Sequence, residues 1–223
     1  MSIKNNLLEI KSQLPENVTL VAVSKTKPIA DLMEAYNAGQ RIFGENKIQE
    51  MTEKWETMPK DIEWHMIGHV QTNKVKFMAA YVNLIHGVDS LKLLEEINKQ
   101  AKKHNRIIDC LLQIHIAEEE TKFGLNEKEL NDLMLSNEFK LLQNIKIVGL
   151  MGMATFTENQ NQIKKEFLHL KSIFDALISN IDLQFQFTAP VRTLSMGMSG
   201  DYKLAIDCGS TMVRIGSSIF GSR

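Results

Sequence analysis

The chain has 223 residues, 43% hydrophobic and 24% charged, with 26 basic against 27 acidic side chains and a formal net charge of -1. A chain of this size suits one α/β barrel, which runs to about 200–250 residues as a single unit, and its composition supports a sizeable core. The charge balance leaves no surplus to neutralise a nucleic-acid backbone, so no nucleic-acid partner is expected.

No apolar run approaches membrane-spanning length, so no membrane partner is expected either. The N-terminus, MSIKNNLLEIKSQLP, lacks the basic start and unbroken apolar core of a signal peptide, and a cytoplasmic location is expected. Ile3, Leu7, Ile10 and Leu14 recur at helical spacing and predict an amphipathic helix packed on the body. Cys110 and Cys208 lie in apolar surroundings without metal-site spacing and read as buried, reduced thiols.

From there the sequence alternates. Val18–Ser24 is a β-branched apolar run of the kind found in buried parallel strands. Ile29, Leu32, Met33 and Tyr36 fall on one helical face, and Gly39 supplies a stop. Strands follow at Arg41–Phe43, Glu63–Ile67 and Asn83–Val88, each trailed by a helix: after Glu45, from about Gln71, and from Ser90. Ile107–Ile116 is the fifth strand, and Asn126 with Glu129 resembles a capping box opening the next helix. Ile145–Leu150 is the sixth, and Ile163, Phe167, Leu170, Phe174 and Leu177 mark a long helix. Val191–Leu194 is the seventh, Ser199 is placed to cap a helix running to Ile206, and Met212–Ile215 is the eighth.

Eight strand-then-helix units predict a parallel sheet with crossover helices, closed into a single (β/α)₈ TIM barrel with an extra N-terminal helix, as one domain over 1–223. An open doubly wound sheet is the alternative.

In such a barrel the working face is the C-terminal end of the strands. Lys25 ends an apolar strand, and a lysine in low dielectric becomes an amine nucleophile for a carbonyl; it also reads as a rim lysine that reaches water. Lys27, before Pro28, reads as solvated. Gly216-Ser217 after the last strand offers successive N–H groups suited to a phosphate, with Ser195, Met196 and Gly197 as the strand-seven half; a plain Gly-Ser turn is the simpler reading. Arg214 sits inside strand eight, either facing inward towards a ring nitrogen or anion, or outward along a helix. His65, His69 and His115 lack a metal-binding motif and read as core or surface residues. Met151, Met153, Met196 and Met198 read as core filler or as packing for a flat ring.

Taken together, VAVSKTKP (21–28), IFGENKIQE (42–50), EWHMIGHVQTNK (63–74), ETKFGL (120–125), GLMGMAT (149–155), LSMGMSGDYKLAI (194–206) and GSTMVRIGSSIFGSR (209–223) resemble the YggS/PROSC group. These are pyridoxal 5'-phosphate (PLP) homeostasis proteins related to the N-terminal barrel of alanine racemase. The resemblance implies that Lys25 holds PLP as a Schiff base and that Arg214 faces the pyridine nitrogen. It implies a phosphate cradle of Ser195, Gly216 and Ser217, where many relatives carry Thr in place of Ser217. Asn46 is implied near the ring, and Met153 and His65 as lining residues. An arginine at the ring nitrogen keeps its own proton, so that nitrogen stays unprotonated and the cofactor is a weaker electron sink.

The racemases add a tyrosine base from a second domain of the partner subunit. Tyr36, Tyr81 and Tyr202 of this chain all fall on predicted helices. The expectation is therefore a non-catalytic, monomeric PLP carrier that meets apo-enzymes transiently, with no metal and no catalytic residues. A racemase-like PLP enzyme or a cofactor-free Schiff-base aldolase is the alternative.

Overall fold

The computed structural model describes residues 2–119, 123–179 and 190–221. Residues 120–122 of the ETKFGL stretch and the last two residues of the final stretch lie outside them. Helix α1 (Ile3–Gln13) precedes the first strand; Ser2 caps it, and Leu7 and Ile10 are buried beneath it. The chain then runs through β1 (Thr19–Val23), α2 (Ile29–Asn37), β2 (Ile42–Glu45), α3 (Ile48–Thr57) and β3 (Glu63–Met66). A 3₁₀ helix, Thr72–Phe77, leads to β4 (Leu84–Val88), α4 (Leu91–Lys103) and β5 (Ile108–Gln113). Then come α5 (Glu127–Leu135), α6 (Asn137–Lys140), β6 (Ile145–Met151) and α7 (Gln160–Ser179). The chain closes with β7 (Thr193–Met198), α8 (Tyr202–Asp207), β8 (Met212–Ile215) and α9 (Ser217–Phe220).

All eight strands are parallel, each pairs with the next, and β8 returns to β1 with Val21 opposite Arg214. The sheet is a closed barrel, and the open doubly wound alternative is set aside. The outward faces of the strands join the helices in one continuous apolar layer that includes Phe43, Trp64, Ile97, Phe167 and Met196. A smaller cluster of Val21, Leu84, Leu111, Met151 and Met212 fills part of the barrel interior. No helix among the described residues is long and apolar enough to cross a membrane.

The local signals mostly hold. Gly39 ends α2 with φ +90°, a conformation that costs glycine nothing. Asn126 and Glu129 form the expected reciprocal cap, each N–H donating to the other side chain at 2.9 Å. Five expectations need correction. β2 runs on to Glu45, so only Asn46 of FGEN lies in the loop. The segment after β3 is 3₁₀, and Tyr81 sits in the turn that follows it rather than on a helix. β5 ends at Gln113, with a lone bridge from Ile114 to Leu125 beyond it. β7 reaches Met198, four residues past its expected end, across a register shift between Ser195 and Met198. Asp201, not Ser199, stands at the N-cap of α8.

Candidate active site at the C-terminal mouth

The loops after β1, β2, β6, β7 and β8 surround a cavity of ≈ 530 Å³ whose lining includes Lys25, Asn46, Met153, Ser199, Arg214 and Ser217. Two glycines let these loops approach. A Cβ on Gly68 would lie 2.5 Å from the Asn46 carbonyl oxygen, so only glycine lets the turn after β3 support Asn46. A Cβ on Gly216 would lie 3.1 Å from the Val23 carbonyl oxygen, so the bare backbone there brings the end of β8 against the strand that presents Lys25.

Lys25 is half-buried, and the residues on either side of it are clamped. Lys54 Nζ donates to the Ser24 carbonyl at 2.9 Å, and to Glu45 Oε1 and Glu50 Oε1 at 2.7 Å each. Ser24 Oγ donates to Glu45 Oε1 at 2.6 Å, and the Thr26 N–H to Glu50 Oε1 at 2.6 Å. Thr26 has φ +64°, a left-handed conformation costing a β-branched residue roughly 1–3 kcal/mol, which this network offsets. Lys27 is not simply solvated: its Nζ donates to the carbonyls of Phe220 and Gly221 at 3.0 and 3.1 Å, tying the β1–α2 loop to the end of α9.

Arg214 points into the barrel and is buried, which settles the open question of its facing. Its Nη1 donates to Ser195 Oγ at 2.6 Å and to the Ser195 carbonyl at 2.9 Å, and its Nη2 to the Gly152 carbonyl at 3.2 Å. Burial pulls its pKa down to about 10, and the Asp201 carboxylate works against that. The guanidinium is still protonated at neutral pH.

Ser195 and Met196, expected in the phosphate cradle, do not stand in the loop after β7. Because β7 continues to Met198, both stand inside the strand, and neither lines the cavity. The Ser195 hydroxyl is held by Arg214, and Met196 faces the outer apolar layer. The residues just beyond them stand at the cavity: Met198, Ser199 and Gly200 line it. Ser199 Oγ accepts the Gly216 N–H at 3.2 Å, which joins the two loops directly. Met153, Asn46, Gly216 and Ser217 line the cavity as expected.

Sequence reasoning also missed His86. It lies fully buried on β4, with Nδ1 3.1 Å from Ser195 Oγ and Nε2 3.1 Å from His65 Nδ1. Burial alone holds His65 down to about 3, and burial together with His65 and Arg214 holds His86 well below the usual histidine range. Both rings are neutral. His65 therefore sits deeper in the barrel rather than at the cavity. His69 is engaged elsewhere, 3.2 Å from Asp89 and stacked on Phe123, so these two histidines do not converge.

A sequence profile of the family described as "Alanine racemase, N-terminal domain" matches residues 1–223. The pyridoxal phosphate homeostasis protein of Aquifex aeolicus is 40% identical over 206 residues, covering 92% of this chain and 86% of that protein. The chain belongs to the pyridoxal phosphate homeostasis proteins of the alanine racemase N-terminal domain family. A solved member of it, PipY of Synechococcus elongatus with PLP bound, superimposes with a TM-score of 0.85 at 34% identity, over 99% of this chain and 100% of that one. The alanine racemase of E. faecalis shares only the fold: TM-score 0.77 at 16% identity, with 58% of that chain covered. The matched barrel accounts for 58% of that racemase chain.

Proposed function

We propose that this chain binds PLP in the C-terminal mouth of the barrel, attaches it covalently through Lys25, and supplies it to apo-enzymes without turning over a substrate. One observation carries the reading: a single cavity brings together the Lys25 amine, the Arg214 guanidinium and the paired loops Ser199–Gly200 and Gly216–Ser217. These are the three features a flat pyridine ring with an aldehyde on one side and a dianionic phosphate on another requires. When bound, the cofactor supplies a reactive aldehyde and an electron-withdrawing ring.

The chain's own residues then have separate tasks. The hydroxyls of Ser199 and Ser217 and the exposed N–H groups at the start of α9 offer charge-assisted hydrogen bonds to phosphate. Arg214 is donor-only, so it can donate to the ring nitrogen but cannot take up a proton there. Lys54, through Ser24 and Glu50, fixes the backbone from which Lys25 projects.

The absence of turnover is supported by the tyrosines. Tyr36 Oη donates to Asp61, Tyr81 Oη pairs with Thr52, and Tyr202 Oη donates to Gln13. None lines the cavity, so none stands as the second base that two-sided proton transfer needs. A monomer in the cytosol is part of the same proposal; the two buried free thiols fit a reducing compartment.

The test is the visible spectrum with and without borohydride. The purified holoprotein is expected to be yellow and to bleach on reduction, with the pyridoxyl mass mapping to Lys25. An adduct on another residue, or none, overturns the reading. Racemisation or decarboxylation of amino acids far above the rate with free PLP overturns the carrier role.

A further inference from the structure

Four buried groups form an unbroken hydrogen-bonded line through the barrel. Arg214 Nη1 lies 2.6 Å from Ser195 Oγ, Ser195 Oγ lies 3.1 Å from His86 Nδ1, and His86 Nε2 lies 3.1 Å from His65 Nδ1. The four come from β8, β7, β4 and β3, so the line crosses the interior rather than following one strand pair. His65 also lines a separate cavity of ≈ 510 Å³ at the opposite, N-terminal mouth, with Thr19, Glu63, Asp109 and Met212.

The first member of this line fixes the first direction, and one orientation of the remaining bonds is consistent with it. A guanidinium only donates, so Ser195 Oγ accepts from Arg214. With the serine proton given to His86 Nδ1, Nδ1 is the acceptor and the ring proton lies on Nε2. That proton is donated to His65 Nδ1, which leaves the remaining His65 proton on Nε2. The orientation gives each neutral group one tautomer and aims the negative end of its dipole at Arg214. Oriented dipoles in a low-dielectric interior stabilise a buried cation without neutralising it, as a carboxylate would.

We propose that His86 is a positioning residue for Arg214: acting through Ser195 and braced by His65, it holds the guanidinium as a fixed donor towards the ring nitrogen of bound PLP. The inference rests on the PLP reading above. Without His86, the Ser195 hydroxyl loses the partner that orients it, and one of the guanidinium's three acceptors is no longer held in direction. The ring nitrogen then becomes free to pick up a proton.

The experiment compares parent, His86→Leu, Ser195→Ala and His86→Asn as purified holoproteins, with circular dichroism as the check on folding. Asn places an amide oxygen near the position of the imidazole Nδ1 and so keeps an acceptor for Ser195. The readouts are the visible spectrum across pH and the Kd for PLP. The parent band is expected to hold its position across pH, whereas H86L and S195A shift it and give it a pH-dependent transition. The Kd is expected to rise about tenfold in both, the size expected for a lost hydrogen bond to a charged group. H86N is expected to follow the parent.

If H86L fails to fold, S195A carries the test, since it removes only a hydroxyl. Parent-like spectra and Kd in the folded variants overturn the positioning role while leaving the PLP reading intact. A colourless parent that binds no PLP overturns that reading instead.

Discussion

Lys54 Nζ lies 2.7 Å from Glu45 Oε1, with 6% and 0% of the two side chains exposed. The pair stands behind the Lys25 loop rather than in the cavity, and it supports the site from outside the barrel. Replacing one partner strands the other. Lys54→Met is expected to destabilise the fold by about 3–5 kcal/mol, because an uncompensated buried carboxylate remains. Burial already raises the Glu45 pKa, while Lys54 and Ser24 lower it. A carboxyl raised in the folded state contributes stability that is full below its unfolded pKa and is lost as pH rises through the folded value. Removing Lys54 raises it further, so the deficit of K54M is expected to be smaller near pH 5 than near pH 8. Urea titrations at both pH values check this, and Glu45→Gln in the K54M background should restore most of the loss.

The closure of the barrel makes a separate prediction at Gly149. A Cβ there would lie 1.8 Å from the Thr193 carbonyl oxygen, on the strand paired with it. Backbone cannot yield as a side-chain tip does. Gly149→Ala is expected to cost about 3 kcal/mol or more through forced separation of β6 and β7, read as a lower Tm. An unchanged Tm would mean the register between these strands is different.

These two positions also mark how far the sequence could be read. Strand number and order were legible because parallel barrel strands are apolar on both faces and stand out as β-branched runs between helices. The error at β7 has one cause: Ser195 and Gly197 interrupt the apolar run, and polar inward residues look like a strand end when the inside of the barrel is assumed apolar. With the boundary four residues early, Ser195 and Met196 were read as the loop after β7, whereas Ser199 and Gly200 stand there and line the cavity. His86 was missed for the same reason. Its sign was present, though, as a polar residue at inward parity in an otherwise apolar strand, like His65 and Arg214. That Lys25 and Gly216-Ser217 line the cavity was legible because loops directly after the strands form the mouth in this fold. The clamp by Lys54 was not, since it depends on three elements meeting in space.

Cys110 provides a control on the interior. It is fully buried on β5, and burial, with Asp109 adding to it, raises its thiol far above the ordinary cysteine value. Cys208 is also buried and its pKa raised. The thiolate is the reactive form. Neither cysteine is therefore expected to react with a disulfide reagent at pH 8 until denaturant is added, when two thiols per chain should be released. Rapid reaction of the native protein would show that the outer apolar layer is open.

Arg214→Glu tests the electronic side of the site. A carboxylate facing the ring nitrogen favours its protonation, which makes bound PLP a stronger electron sink. The variant is expected to show an altered visible band and faster side reaction with free amino acids, measured as loss of that band over time. A spectrum and reactivity equal to the parent's would mean that Arg214 does not face the ring nitrogen.

Lys25→Ala separates the two ends of the proposed ligand. The substitution removes the amine but leaves Ser199, Ser217, Gly216 and Arg214 in place. The clamp on Ser24 and Thr26 uses their backbone and hydroxyl groups, not the Lys25 side chain, so the loop should keep its shape. Borohydride should then fix no pyridoxyl group at position 25. Reversible binding should persist in the micromolar-to-millimolar range, equivalent to about 4–8 kcal/mol, and inorganic phosphate should compete for it. Lys27 is the obvious substitute amine, but its Nζ is tied to the carbonyls of Phe220 and Gly221. If K25A is still labelled, with the adduct on Lys27, those two bonds are too weak to hold that amine away. If K25A binds PLP as tightly as the parent and phosphate does not compete, the affinity resides outside this cavity.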